Sequence, residues 1–226
     1  MPRSPIRAPK PSLDLSGHLL IFRSPIESPQ AGDPDPVPET LTSESLFQNQ
    51  LPLEIEVGSG KGLFLTSESA RNPDHNYLGI EIIHKYAKHS AARLARAGRT
   101  NAKMVSGNAE PLFSNHVPAG SLEAVHVYFP DPWWKKRHRK RRVVNQRSIQ
   151  NFLTALRPGG RFHFWTDVLD YFESTIELIA EIAPEFGVPI PEEKQLSTHD
   201  LDYRTHFERR SRKNQIPVYR VRYEKK

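Results

Sequence analysis

The chain has 226 residues, with 32 Lys and Arg against 26 Asp and Glu, twenty Pro and no Cys. That length supports one core of ordinary size, and the missing cysteines exclude disulfide scaffolds, thiolate zinc sites, iron–sulfur clusters and cysteine nucleophiles while pointing to a reducing cytoplasm. No run reaches the roughly 20 apolar residues of a membrane span, and the N-terminus lacks the apolar region of a secretory signal, so the sequence reads as soluble and unexported. The formal charge of +6 is concentrated: residues 133–142 hold seven basic residues and no acid, and 203–226 hold nine basic and two acidic. Each segment carries +7, so the other 192 positions carry −8. An acidic body with two focused basic segments suggests a polyanionic partner such as nucleic acid, against the bland alternative of a solvated charge run.

Residues 1–50 read as a Pro-rich, partly disordered N-terminal arm, with nine of the twenty prolines in the first 40 positions. Within it, Leu13 to Phe22 alone looks able to dock on a core. From Leu51 to the C-terminus the pattern alternates between strand and helix. Leu53 to Val57 and Asn76 to Ile80 read as strands, with a helix carrying Leu63, Phe64 and Leu65 between them. Ile83, Ala87, Ala91 and Leu94 share a helix face closed by Gly98. Lys103 to Ser106 and Ala124 to Phe129 read as further strands. A helix with Ile149, Phe152, Leu153 and Leu156 follows, then a Pro158-Gly159-Gly160 turn into a strand from Arg161 to Thr166. Phe172, Ile176 and Ile179 mark another helix, and Ile216 to Tyr223 a closing strand. This order predicts an α/β Rossmann-like sheet, mostly parallel with an antiparallel closing strand and helices on both faces, with ligands at the carboxyl ends of its strands.

The first strand runs into Glu56-Val57-Gly58-Ser59-Gly60-Lys61-Gly62. Its alternating glycines, Gly58 and Gly60 foremost, allow close backbone approach to a ligand, but the spacing fits neither a Walker loop nor a dinucleotide fingerprint. The second strand ends in Glu81, about twenty residues on, where a carboxylate can accept both hydroxyls of a ribose. Asn108 follows the third strand, where its amide can read an adenine edge. Glu56, directly ahead of the loop, would repel a pyrophosphate and suits a cofactor with a positive centre, such as S-adenosylmethionine.

In Phe129-Pro130-Asp131-Pro132-Trp133-Trp134 the two prolines hold Asp131 extended at the end of a central strand. The Trp pair offers stacking faces, and the following basic run offers phosphate contacts. This segment, together with Gly79-Ile80-Glu81, Thr166-Asp167 followed by Tyr171, and Thr205-His206-Phe207-Glu208-Arg209, closely resembles the bacterial tRNA (guanine-N7)-methyltransferase family, in collinear order from about residue 51 to the C-terminus. The resemblance implies a class I S-adenosylmethionine-dependent fold and methylation of the variable-loop guanine of tRNA. It implies that Glu56, Glu81, Asn108 and Asp131 contact the cofactor, with Asp131 catalytic. It further implies that Lys135, Asp167, Thr205, His206, Phe207 and Glu208 contact substrate, with Arg137, Arg139 and Arg141 on RNA phosphates. The chain departs from the family pattern at Ser59, Asn108, Trp134 and Ser211.

Alternatives remain beside this reading. Asp131-Pro132-x-Trp134 is similar to the loops of exocyclic-amino nucleic-acid methyltransferases, and a catalytically silent tRNA-binding subunit would keep the same fold. Asp167 also fits a helix N-cap, and Glu208 could pair with a neighbouring Arg. The ten histidines show no metal-ligand spacing, so no metal cofactor is expected. A cytoplasmic monomer or homodimer with no obligatory protein partner completes the expectation.

Overall fold

The computed structural model describes residues 13–23, 35–192 and 205–226. The arm segments 1–12 and 24–34 lie outside the described residues. The centre of the sheet follows the order β5 (Ala102–Ser106), β4 (Asn76–Glu81), β3 (Leu53–Val57), β6 (Leu122–Tyr128), β7 (Leu156–Thr166) and β9 (Tyr219–Glu224). These neighbours pair in parallel except β9, which runs antiparallel to β7. The order reverses between β3 and β6, so the chain ends leaving these two strands diverge and open a crevice at their carboxyl side.

The expected α/β sheet is present, with three additions. β1 (Leu19–Ile21) joins β5 in parallel, β2 (Asp35–Pro36) joins β1, and β8 (Ile190–Pro191) extends the far edge beside β9. Leu19 and Leu20 are buried as their apolar run suggests, but Leu41 and Leu46 are buried as well. The latter flank or lie in α1 (Ser43–Phe47), whose N-terminus is closed by a Thr42–Ser45 capping box. So short an apolar pattern beside so many prolines gives little sequence signal. β7 begins at Leu156, so the Pro158-Gly159-Gly160 turn lies within the strand, and its register with β6 shifts between Leu122 and Ala124. There Gly159 takes a φ of 73° that a side chain would strain.

The two faces of the sheet differ. One buries Ile55, Val57, Ile80, Val125, Val127 and Phe164 against α4 (Ala109–Asn115), α5 (Gln146–Ala155) and α6 (Leu169–Ile182). α6 buries Tyr171, Thr175 and Ile179, and of its sequence stripe Ile179 is in the core and Phe172 packs against it beside Phe164, while Ile176 is only half-buried. On the other face, α2 (Leu63–Arg71) and α3 (His84–Arg96) contribute Phe64, Leu65, Ala87, Ala91 and Leu94. Gly98, at φ 62°, stands just beyond α3 as its spacing predicts.

That second face carries a buried polar row. Glu54 accepts from His75 Nδ1 at 2.7 Å and His126 Nε2 at 2.6 Å, and His126 Nδ1 lies 2.8 Å from the Tyr128 hydroxyl. His126 stacks on His163 at 4.7 Å between centroids, and His163 reaches Glu192 at 2.8 Å. Burial alone would raise the Glu54 carboxyl, but the hydrogen bonds and charges of His126 and His75 outweigh it and hold the group at about 2. A depressed folded-state value gives stability that is fully present above the unfolded carboxyl range near 4.5 and lost as pH falls toward 2. We expect Glu54→Gln to lower the thermal midpoint at pH 7 and to flatten the dependence of stability on pH between about 5 and 2, followed by circular dichroism. An unchanged acid profile would show that Glu54 is not the linked group.

Candidate functional site

A cleft of about 1170 Å³ opens at the carboxyl ends of β3, β4, β5 and β6. It brings together Glu56, Gly58, Gly60, Glu81, Asn108 and Asp131, the residues expected to meet the cofactor. Gly58, Gly60 and Gly62 have φ of 81°, 53° and 68°, which permits the tight path from β3 into α2. A Cβ on Gly62 would come within 1.8 Å of Ser90 Oγ, and one on Gly79 within 2.3 Å of Leu65 Cδ1. These glycines therefore let α2 lie close to α3 and to β4. Gly60 N donates to Glu81 Oε2 at 2.9 Å and Ile83 N donates to Glu81 Oε1 at 2.9 Å. Glu81 thus ties the glycine loop to the start of α3, and a carboxylate has further lone pairs for ligand hydroxyls.

Asn108 caps α4, its Oδ1 accepting from Glu110 N at 3.1 Å. The sequence reading gave this amide a ligand role and missed the cap.

Glu56 is the electrostatic peculiarity of the cleft. It is 4% exposed, and its Oε2 has no hydrogen-bond partner among the described residues. Burial pushes its carboxyl up to about 8, with the charges of Glu81 and Glu68 adding to the rise against the nearby Ser59 hydroxyl. A dry acid with an unused oxygen, facing a cavity, fits a ligand that brings a cation or a donor.

The Asp131 segment is held from several sides. Phe129 and Trp133 sit at φ 49° and 45°, a costly region for bulky side chains. Phe129 N donates to Trp165 O at 2.7 Å, and Phe129 stacks on Phe207 at 6.0 Å. Arg142 Nε donates to Pro132 O at 2.9 Å, and its guanidinium lies 4.2 Å over the Tyr171 ring. Arg142 is 8% exposed, so this last cation of the basic run clamps the loop from inside rather than facing an RNA phosphate as the sequence reading had it. Asp131 itself is exposed on the cleft wall.

The expected substrate residues divide. Arg141 lines the cleft with its guanidinium 5.2 Å from the Trp133 ring, and Thr205 and Phe207 line it from the start of α7 (His206–Lys213). Lys135 and Arg137 are exposed on the flank outside the cleft lining, beside Trp134 at 68% exposure. The side chains of Arg139 and His206 lie outside the described residues. Asp167 is half-buried and outside the lining, and the α6 cap position belongs to Val168, whose N–H is taken by Thr166 Oγ1 at 3.2 Å. Glu208 is also outside the lining: it pairs with Arg220 at 3.2 Å with 3% of its side chain exposed, while Arg220 lies 5.0 Å over Trp165. Sequence reasoning missed Ile82, Tyr86, Arg210 and Lys213 on the cleft wall, and it put Ile83 on the face of α3 with Ala87, Ala91 and Leu94, whereas Ile83 is the exposed N-cap of that helix and lines the cleft. The exposed Ile82–Ile83 pair directly after Glu81 was the available signal, since strand-end apolar residues left in water mark a surface awaiting a partner.

Comparison with known proteins agrees with this geometry. Residues 50–221 match the family model described as "Putative methyltransferase". A tRNA (guanine-N(7)-)-methyltransferase of Rhodopirellula baltica is 60% identical over 231 residues, spanning 100% of this chain and 81% of that protein. One of Alkalilimnicola ehrlichii is 32% identical over 201 residues, covering 89% of this chain and 81% of its own length. Among solved structures, the 16S rRNA methyltransferase KamB superposes with a TM-score of 0.58 at 16% identity, over 80% of this chain and 91% of that one, a likeness of fold alone. With the cleft residues in place and the relationship running the length of the chain, the protein belongs to the tRNA (guanine-N(7)-)-methyltransferase family.

Proposed function

We propose that this chain transfers the methyl group of S-adenosylmethionine to N7 of the variable-loop guanine of tRNA. The observation that carries the reading is the gathering of Glu56, Glu81, Asn108 and Asp131 in one cleft, in a chain 60% identical to a tRNA (guanine-N(7)-)-methyltransferase. When bound, the cofactor supplies an electrophilic methyl on a sulfonium. Glu56 would hold its positive amino end, Glu81 its ribose and the Asn108 amide its base. Guanine N7 has a free lone pair and no proton, so methyl transfer needs alignment and charge stabilisation rather than a strong base. The methylated purine is cationic, and Asp131, exposed on the cleft wall, would stabilise that charge and orient the base.

Trp134, Lys135 and Arg137 would meet RNA on the flank, with Arg141, Thr205 and Phe207 enclosing the target nucleotide, and Arg139 and His206 are carried over as RNA contacts from the family resemblance alone. Asp167 would touch the substrate only at the edge of the cleft. Glu208 is read here as a positioning residue, which holds α7 through Arg220 and meets no RNA itself. The same reading has the enzyme act in the cytoplasm as a monomer or homodimer, without metal or an obligatory partner protein. Among the described residues, no helix is long and apolar enough to cross a membrane.

The direct test is methylation of unmodified tRNA by the purified chain, with the product mapped by nuclease digestion and mass spectrometry. We expect 7-methylguanosine in the variable loop; a methyl group on an exocyclic amine, or no transfer, would overturn the assignment. Asp131→Ala should lower transfer by roughly 100-fold or more while tRNA affinity changes little. Glu208→Gln should lower both the thermal midpoint and transfer. Its effects should be less than additive with those of Arg220→Gln, with a coupling of about 1–3 kcal/mol in a double-mutant cycle. A Glu208→Gln protein with unaltered stability but weakened tRNA binding would instead make Glu208 a direct RNA contact.

A further inference from the structure

The two basic segments on the β6 and β9 side do not account for all the concentrated charge. Between Ile82 and Ala109 the sequence has six Lys and Arg, two His and no acidic residue. Four of those six cations lie in α3. With the earlier segments removed, this stretch carries +6 while the rest of the chain carries −14.

At about 100° per residue, Lys85, His89, Arg93 and Arg96 fall within an arc of roughly 80°, with Lys88 beside it, and the stripe runs about 16 Å along the helix. The opposite face, with Ala87, Ser90, Ala91 and Leu94, is buried against the sheet. Lys85, Lys88 and Arg96 are exposed and form no ion pair with a described residue. Arg93 is used differently: its Nη1 donates to Lys61 O at 3.3 Å, tying the helix to the glycine loop.

The N-terminal part of this charge pattern works against the helix that bears it, whereas Arg93 and Arg96 lie in the last turn, where the helix dipole favours cations. Like charges three and four residues apart repel one another by a few tenths of a kcal/mol per pair. Lys85 sits in the first turn, where the helix dipole favours an acid, and that turn contains none. A polyanion lying along the helix would reverse the sign of both terms. α3 also begins at the cleft, with Tyr86 on the cleft wall, and packs on β4, β5 and β1. Its basic face therefore flanks the cleft on the half of the sheet away from residues 133–142.

We propose that the exposed face of α3 is a second RNA-binding surface, on which Lys85, Lys88 and Arg96 hold the tRNA backbone while the Trp133–Arg141 segment holds it on the other side of the cleft. The proposal rests on the tRNA reading above and adds to it where the RNA lies. Bracketing the cleft from two sides would limit rocking of a long, rigid substrate about a single point of attachment, which serves the alignment that methyl transfer requires.

The test is the triple variant Lys85→Ala, Lys88→Ala and Arg96→Ala in the full chain, with the same unmodified tRNA titrated at several salt concentrations. All three side chains are exposed, so the thermal midpoint should not fall and S-adenosylmethionine affinity should stay at its wild-type value. We expect the dissociation constant for tRNA to rise by about tenfold or more at 0.1 M salt, and the slope of log affinity against log salt to shallow by about 2–3. Wild-type affinity and slope in the triple variant would overturn the second surface and leave the methyltransferase reading intact. A wild-type chain that neither binds nor methylates tRNA would overturn both. Loss of binding to phosphatidylserine vesicles with tRNA binding unchanged would assign the face to a membrane and overturn it as well.

Discussion

An acid kept out of water at the end of the central strand governs the arrangement around the cleft. β3 is buried on both faces, so the alternation of its side chains sends Leu53, Ile55 and Val57 into one core and Glu54 and Glu56 into the other layer. Two buried carboxyls on one face of one strand are expensive unless each finds a partner. Glu54 finds two histidines within the protein. Glu56, on the cleft lining, keeps a buried oxygen with no partner among the described residues and a raised affinity for its proton.

The surrounding elements keep that site shaped. The glycine loop passes above Glu56 because Gly58, Gly60 and Gly62 all take positive φ, and Glu81 pins it through Gly60 N. On the acceptor side, the left-handed backbone at Phe129 and Trp133 costs energy, and the structure holds it there by the Phe129–Trp165 hydrogen bond and the Arg142 clamp on Pro132. Strain maintained by surrounding contacts at the mouth of a cleft fits a loop whose geometry serves a reaction rather than the fold.

Much of this was legible in the sequence because it rests on local signals. Strand runs bounded by glycine, the apolar spacing of α3 and the two prolines around Asp131 each act over a few residues, and together they placed the cleft. What was not legible depends on contacts between distant segments. An arginine partner for Glu208 was open to the sequence, but which one was not, since Arg220 lies twelve residues on in β9, and Arg142 looks like its neighbours until Pro132 and Tyr171 bury it. Asn108 shows the reverse case, in which a residue read for a ligand also does an ordinary local job as a helix cap. The charge of α3 was present in the sequence but spread at helical spacing, so it did not stand out as a run until the helix gathered it onto one face.

The central claim, that Glu56 is a protonated acid awaiting a cationic ligand, can be measured through the proton itself. In the unliganded chain a carboxyl raised to about 8 carries its proton at pH 7. A positive centre placed beside it favours the carboxylate, so binding should displace that proton, and affinity should strengthen as pH rises toward 8. Calorimetric titration of S-adenosylmethionine at pH 7, in buffers of different ionisation enthalpy, reads the number of protons released. The account predicts release of close to one proton more by the wild type than by Glu56→Gln. Equal proton release by the two proteins, or no binding to either, would contradict it.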